Sequence, residues 1–485
     1  MPAKTARVIG AGPNGLAAAI VLAQAGLPVE VLEAEAIPGG GARTMELTLP
    51  GFLHDAGSAV HPFAAGSPFF TSLPLHQHGL EWIHSPAPLA HPFDDDTAIV
   101  LERSLGDAVR EFGRDGESWR RLVGPLARNW DKFVPDVLGP IVHIPRHPFL
   151  LASFGWRALQ PAMLLANTLF ADPRTRALFA GCAAHSFLGL TEPLSSSFGT
   201  LLGAAAHAPG WPIPRGGAQA ITNALISYLS TLGGTVQTSH RVRRLSDLVS
   251  ADITVCDVSP PQLLAIAGNR LSPTYRRALE SQRRGPGSFK VDYALSSPIP
   301  WTATDCARAA TIHLGGSAEE IATSEAAMRN NQHAERPFMI ISQPTLFDPT
   351  RAPEGKHVAW AYCHVPSGST FDMLERLENQ IERFAPGFRD CILARRVFSP
   401  AGLESMNLNL TGGDILGGSN SLMNLLFRPT LRGYPTSAPD IFLCSSSTPP
   451  GGGVHGMCGY HAAKTALRSL RIPFGNLTIQ GKRSP

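Results

Sequence analysis

The stretch Ala6–Glu33 limits this chain more than any other part of it. Ala6-Arg7-Val8-Ile9 is a short β-rich run, and Gly10-Ala11-Gly12-Pro13-Asn14-Gly15 follows it as G-x-G-x-x-G. An alanine-rich segment of good helix propensity runs from Leu16 to Ala25, and Gly26 sits where a helix stops. Val29-Glu30-Val31-Leu32 is a second apolar run and ends at the acid Glu33. Strand, glycine turn, helix, strand and acid together predict a dinucleotide-binding β-α-β unit.

Each residue type has a physical reason. Gly10 permits the tight turn off the first strand, and Gly12 has no side chain to hold a pyrophosphate away from the backbone. Gly15 lets the helix pack closely on the strand. Backbone N–H groups and the positive helix end then face the phosphates. Glu33 can accept both ribose hydroxyls, and its charge disfavours a 2′-phosphate, which argues against NADP. Ile37-Pro38-Gly39-Gly40-Gly41-Ala42-Arg43 adds a second close backbone approach and a planar cationic side chain, suited to the far side of a pyrophosphate.

The chain has 485 residues, enough for two or three domains with a large core. Its formal net charge of +3 is small for that size, and its arginine pairs are scattered. Nothing in this balance points to nucleic acid. Seven widely spaced cysteines form no CxxC, and the histidines show no ligand spacing, so neither a disulfide framework nor a metal site is expected. A reducing cytoplasm fits. The first strand starts so near the N-terminus that no secretory signal is expected.

The strand–helix alternation then lapses. Leu47–Phe52 reads as a strand into a turn, and Gly57–Phe63 as a small-residue loop carrying His61. Residues 71–205 are rich in Pro, Leu, Phe and Trp, and the part near 124–170 is notably apolar. Two readings stay open for it: the core of a helical substrate domain, or a greasy channel mouth or membrane-surface patch. Alternation returns after Trp211, with a helix over Ile221–Leu232 and strands at Thr235–Thr238 and Ala251–Asp257. Phe289–Leu295 reads as a sheet strand, and its Lys290 is read as a solvated lysine in preference to a functional amine. Leu374–Phe384 reads as an amphipathic helix. Near the C-terminus, Asp440–Ser445 is a strand, Ser446–Gly456 a glycine loop, and Met457–Leu467 a helix.

These pieces resemble the phytoene desaturase (phytoene dehydrogenase-related) flavoproteins, relatives of the amine oxidases. The matching residues are Gly10, Gly12, Gly15, Glu33, Gly39, Gly40, Arg43, the Gly57–Phe63 loop and the Pro450-Gly451-Gly452-Gly453-Val454 core. The section around Val242 is similar to the family's second nucleotide piece, where the backbone meets the adenine. The resemblance implies an α/β fold, α+β overall. A discontinuous Rossmann-like FAD-binding domain (1–70, 206–285 and 430–485) would interleave with a mixed sheet-and-helix substrate domain (71–205 and 286–429).

With one G-x-G-x-x-G and no second, the nucleotide site is assigned to FAD. The candidate cofactor-binding residues are Gly10, Gly12, Pro13, Asn14, Gly15, Glu33, Ala34, Gly39, Gly40, Gly41 and Arg43, then Ser58, Ala59, Val242, Gly453, Val454 and His455. The implied reaction removes hydride from a C–H bond of a small hydrophobic substrate, with oxygen or a quinone as electron acceptor. His61, His455 and Tyr460 are the candidate catalytic groups. The histidines are placed for proton transfer or charge stabilisation, and Tyr460 matches the aromatic-cage place of the amine oxidases. Packing is the alternative for His455. Cys458 is read as a small buried cysteine in preference to a thioether link. The turn after the Lys290 strand lacks the lysine of the amine oxidases, which leaves amine oxidation as the alternative. A flavin-dependent isomerase and a low-turnover flavin-binding interaction protein are further alternatives. Peripheral membrane contact would accompany an oily substrate.

Overall fold

The computed structural model describes residues 4–475. Five parallel strands form one sheet in the order Ile441–Leu443, Ile253–Cys256, Ala6–Ile9, Val29–Leu32, Thr235–Gln237. Parallel strands need crossovers, and helices covering both faces explain why their residues read as unbroken apolar runs. Helix Pro13–Gln24 crosses from the first strand to the second and is buried over nearly its whole length. It packs on the C-terminal helix Met457–Ser469, where a Cβ on Gly459 would stand 1.8 Å from the Asn14 carbonyl oxygen. That distance lets only glycine bring the two helices together.

The second sheet has seven strands, in the order Ile392–Phe398, Gly287–Leu295, His357–Val365, Met339–Ser342, Ala309–Leu314, Ala87–Pro92, Ala98–Leu101. All neighbours are antiparallel except Ala309–Leu314 with Ala87–Pro92. Side chains alternate between its faces. Val291, Ala361, Ile341 and Ile312 face one core, which the helix Leu374–Phe384 closes with Leu377, Ile381 and Phe384. The other face looks toward the helices between residues 105 and 207 and toward the nucleotide sheet.

The expected strand at Leu47–Phe52 is not formed. The hairpin strands are Thr44–Glu46 and Leu53–Asp55, and the residues between them turn the chain around Pro50 and Gly51. Proline removes a ladder donor, and Gly51 has a φ of 82°, so this stretch suits a turn better than a strand. The helix Leu374–Phe384 has the expected bounds, and Gln219–Thr231, Ile253–Cys256 and Ile441–Leu443 lie within a few residues of expectation. All seven cysteines are free, and six are buried. The distal parts of the expected domain pieces, residues 1–3 and 476–485, lie outside the described residues.

Candidate active site

A cavity of about 430 Å³ opens where the two sheets meet. Its first end is the crevice at the carboxyl ends of the parallel strands, the usual ligand position in such sheets. Gly10 has a φ of 96° and turns the chain off the first strand. A Cβ on Gly15 would lie 2.0 Å from the Gly10 carbonyl oxygen, so the helix start can touch the strand end only with glycine there. Gly12, Pro13 and Asn14 line the crevice, and so do Glu33, Ala34, Gly40, Gly41, Arg43, Ser58, Ala59 and Val242. Gly15 and Gly39 stand behind this wall as backbone supports. Val242 is half-buried and belongs to a loop, not to a strand.

Glu33 is buried; its Oε2 accepts from the Ala11 N–H at 2.7 Å and its Oε1 from the Glu35 N–H at 2.9 Å, which holds the carboxylate against the glycine turn. Arg43 is buried too; its Nε donates to the Gly40 carbonyl and its Nη2 to the Met406 carbonyl. The segment 406–410 is thus tied down over the crevice. Asn409 makes a second tie, donating to the Asp257 carbonyl at 3.1 Å and accepting from the Ser259 N–H.

Asp257 was not singled out from the sequence, where it only ends a strand. Its Oδ2 accepts from the Gly15 N–H at 2.9 Å and would stand 2.6 Å from a Cβ on Gly12. Burial pushes its carboxyl up to about 7, with Glu33 nearby adding to the rise. A carboxyl that is protonated in part at neutral pH repels an anionic group at this helix start less than a full carboxylate would. The crevice therefore fits the adenine–ribose–pyrophosphate part of a dinucleotide: bare backbone at the turn, an acid for hydroxyls, and a buried arginine.

Past the glycine turn the lining changes. Gly452, Gly453 and Val454 come from the C-terminal loop, and Ser288, Lys290, Trp360 and Tyr362 from the seven-stranded sheet. Lys290 is not solvated as expected. It is 3% exposed, and its Nζ donates to Asp292 two residues along the same strand face. Strand alternation puts positions 288, 290 and 292 on one side, and here that side is the cavity side. Burial lowers the Lys290 pKa and raises Asp292 to about 6. Behind the pair stand His54, whose Nδ1 is 3.8 Å from Asp292 Oδ1, and the buried Asp55–Arg351 ion pair.

The three candidate catalytic groups part company. His61 lines the cavity, and its Nε2 has no partner among the described residues. Burial lowers its pKa to about 4, so it is neutral at physiological pH. His455 is 1% exposed and is absent from the cavity wall among the described residues. Its Nδ1 accepts from the Met457 N–H at 3.0 Å, where the last helix begins. This is a packing and capping position, against the expected contact with a cofactor or substrate. Tyr460 is off the wall as well. Its ring is 3% exposed and packs on Phe69 at 5.5 Å, because the first turn of its helix faces Pro13–Gln24 and not the chamber. The aromatic pair that does face the chamber is Trp360 and Tyr362, with ring centroids 5.1 Å apart. Cys458 is buried, as expected, with its Sγ near the Thr448 and Gly451 carbonyls. Among the described residues no cluster of His, Cys, Asp or Glu could hold a metal ion.

The far end of the cavity is oily, walled by Phe63, Phe187, Phe198, Leu202, Trp211 and Ile340. The His185 ring and the Thr311 and Ser342 hydroxyls join them.

Residues 8–71 match the family described as NAD(P)-binding Rossmann-like domain. The chain is 24% identical over 552 residues to "Pyridine nucleotide-disulfide oxidoreductase domain-containing protein 2" of Rattus norvegicus, covering 97% of this chain and 94% of that one. It is 26% identical over 518 residues to "Phytoene desaturase (lycopene-forming)" of Pseudescherichia vulneris, covering 96% and 98%. Its fold is also that of cyclohexylamine oxidase from Brevibacterium oxydans IH-35A, with a TM-score of 0.59 at 16% identity over 97% of this chain and 100% of that one. The likeness to the desaturases runs the length of both chains, well beyond the nucleotide crevice they share with many folds, and it makes this protein an oxidoreductase related to the phytoene desaturases and dehydrogenases.

Proposed function

We propose that the protein binds FAD and removes hydride from a C–H bond of a hydrophobic substrate. The observation that carries this reading is the continuity of the cavity: a dinucleotide crevice opens directly into an apolar chamber. FAD suits that shape. Its adenine half would meet Glu33, Val242 and Arg43, and its ring would reach Gly453 and Val454. When bound, the flavin accepts two electrons and a hydrogen. The protein's own part is orientation, water exclusion and placement of polar groups. The Ser58–Val60 loop and Trp360 close the chamber side, with the Trp360 Nε1 donating to the Gly57 carbonyl at 3.1 Å. His61 offers a neutral ring whose Nε2 has no partner among the described residues, and Lys290 a charge held by Asp292. With His455 and Tyr460 off the wall, His61 is the one of the three expected catalytic groups retained here, as a proton acceptor at the chamber mouth.

The test is direct. Purified protein should be yellow and release FAD, identified by mass spectrometry. Anaerobic bleaching of its flavin absorbance by apolar polyenes or lipids, without bleaching by amines, would support the reading. Colourless protein that takes up no FAD would end it. The Trp360–Tyr362 pair beside Lys290 favours a second reading, an amine oxidase-like flavin oxidase. Peroxide release from amines, and none from apolar substrates, would favour that one.

The protein is further proposed to draw its substrate from a lipid surface. Phe149 is 90% exposed and Trp156 74%, on the helix Pro148–Ala158. Ile144, Leu159 and Leu164 are exposed around them. From Val137 to Ala171 the chain has no acidic residue but carries Arg146 and Arg157. An exposed apolar patch with cations and no anions suits an anionic bilayer surface. Among the described residues no single helix is long and apolar enough to cross a membrane. Vesicles containing phosphatidylglycerol should retain the wild type and release Phe149→Ser/Trp156→Ser; equal retention of both would refute the contact.

A further inference from the structure

A row of side chains crosses the large sheet on its cavity face. Lys290 lies opposite Tyr362, Tyr362 opposite Ile340, and Ile340 opposite His313. Directly opposed residues share a face, and neighbouring strands stand about 4.8 Å apart, so His313 lies about 14 Å from Lys290 along the wall. The two residues between them, Tyr362 and Ile340, line the cavity.

At the His313 end sits His185, half-buried, just past the helix Pro173–Ala184, and on the cavity wall. Its Nε2 is 2.9 Å from His313 Nε2. Burial lowers the pKa of His185 to about 3 and that of His313 well below its ordinary value, so both rings are neutral. Two neutral imidazoles joined nitrogen to nitrogen hold one proton between them, and each then carries its proton on one known side.

The other nitrogen of His313 settles which. Among the described residues His313 Nδ1 is buried without a partner, and a Cβ on Gly181 would lie 2.7 Å from it. The ring edge thus stands close against the helix Pro173–Ala184. A buried N–H without an acceptor is the rarer and costlier orphan; a buried lone pair is tolerated more often. The hydrogen of His313 therefore sits on Nε2 and is donated to His185 Nε2. His185 must then carry its own hydrogen on Nδ1, the nitrogen left to the cavity.

We propose that His185 is a fixed hydrogen-bond donor for a substrate oxygen, and that the substrate is an apolar molecule bearing a carbonyl group remote from the carbon beside Lys290. The inference rests on the reading of this cavity as the reaction chamber. A pure hydrocarbon would bury the donor unpaired, and a site built around a hydrogen bond rejects the analogue that lacks it. A neutral donor calls for an uncharged oxygen acceptor, of which a carbonyl is a strong and common one; on the same wall stand the Thr311 and Ser342 hydroxyls.

The probes are methyl decyl ketone and n-dodecane, each displacing Nile red from the full-length holoprotein. The ketone should bind about tenfold more tightly than the alkane, the size of one well-made buried hydrogen bond. His185→Leu should lower that ratio at least about tenfold, to one or below, because the ketone oxygen is then buried unpaired, while His185→Asn, whose amide N–H replaces Nδ1–H, should keep most of it. Nitrogen-15 shifts of the wild type read the tautomers without any variant: His185 is expected as Nδ1–H and His313 as Nε2–H. Equal binding of the two probes, an unchanged ratio in His185→Leu, or His185 found as Nε2–H would each overturn the proposal. Flavin content is measured on the same samples. Colourless protein that still prefers the ketone would refute the flavin reading and leave this one standing; yellow protein without the preference would refute this one alone.

Discussion

The two ends of the cavity are built in different ways. The nucleotide crevice is made by backbone: a glycine turn, a helix start and N–H groups, with Glu33, Glu35, Arg43, Arg241 and Asp257 as charged walls. The chamber is made by side chains from four strands and several helices, brought together by sheet register. The first is local in sequence and intolerant of volume. The second is assembled from distant positions and depends on buried polar pairs.

That contrast can be broken experimentally, most severely at the glycine turn. Gly15→Val should give no soluble folded protein, since even the first added carbon overlaps the Gly10 carbonyl, and Gly15→Ala should cost more than about 4 kcal/mol in chemical denaturation. A mild effect would mean that the turn has slack and that the crevice is no more rigid than the chamber.

At the chamber, Lys290→Met should cost about 3–5 kcal/mol, because Asp292 loses the partner that offsets its burial and must either stay charged and unpaired or take up a proton. The double variant Lys290→Met/Asp292→Leu should recover most of this loss in denaturant midpoint while remaining slow in turnover. Failure of the double variant to recover would show that the pair is held by more than mutual charge.

A third test uses pH. The Asp257 carboxyl is raised from 3.8 to about 7 in the fold. The folded state thus holds a proton that the unfolded chain has lost, and stability falls as pH rises through that window. The fall should be roughly 2–4 kcal/mol, and Asp257→Asn should flatten it. Parallel urea titrations of the two proteins at several pH values check this; parallel curves would assign the slope elsewhere.

The smallest effect on folding is expected at Glu33. Glu33→Gln keeps one acceptor, to the Ala11 N–H or the Glu35 N–H, and loses the other, so stability should fall by about 1–2 kcal/mol. FAD retention during gel filtration should still drop, because the ribose meets a neutral amide. Full occupancy would remove Glu33 from the cofactor site.

The same contrast explains what could be read in advance. Gly10, Gly12, Gly15 and Glu33 lie within one contiguous stretch, and their spacing is itself the geometry. Lys290 was misjudged because a lone lysine on a strand carries no sign of which face is buried; only the pairing with Asp292 and the register to Tyr362 reveal it. His185 and His313 are 128 residues apart and meet only through sheet and helix packing. Asp257 was visible as a strand end, but its approach to the glycine turn depends on which strand lies beside the first. His455 and Tyr460 sat in a well-marked loop and helix. The loop's direction, set by Gly456 at a φ of 68°, turns both away from the chamber.

The strap formed by Met406 and Asn409 also bears on kinetics. Arg43 and Asp257 belong to the nucleotide layer, whereas the strap arrives from the chain of the other sheet. Were the proposed dinucleotide to sit beneath it, departure would call for the two layers to part and for both ties to break. Release then follows the rate of that opening and not the strength of any single contact, so the holoprotein would survive dilution for far longer than its equilibrium affinity alone would give.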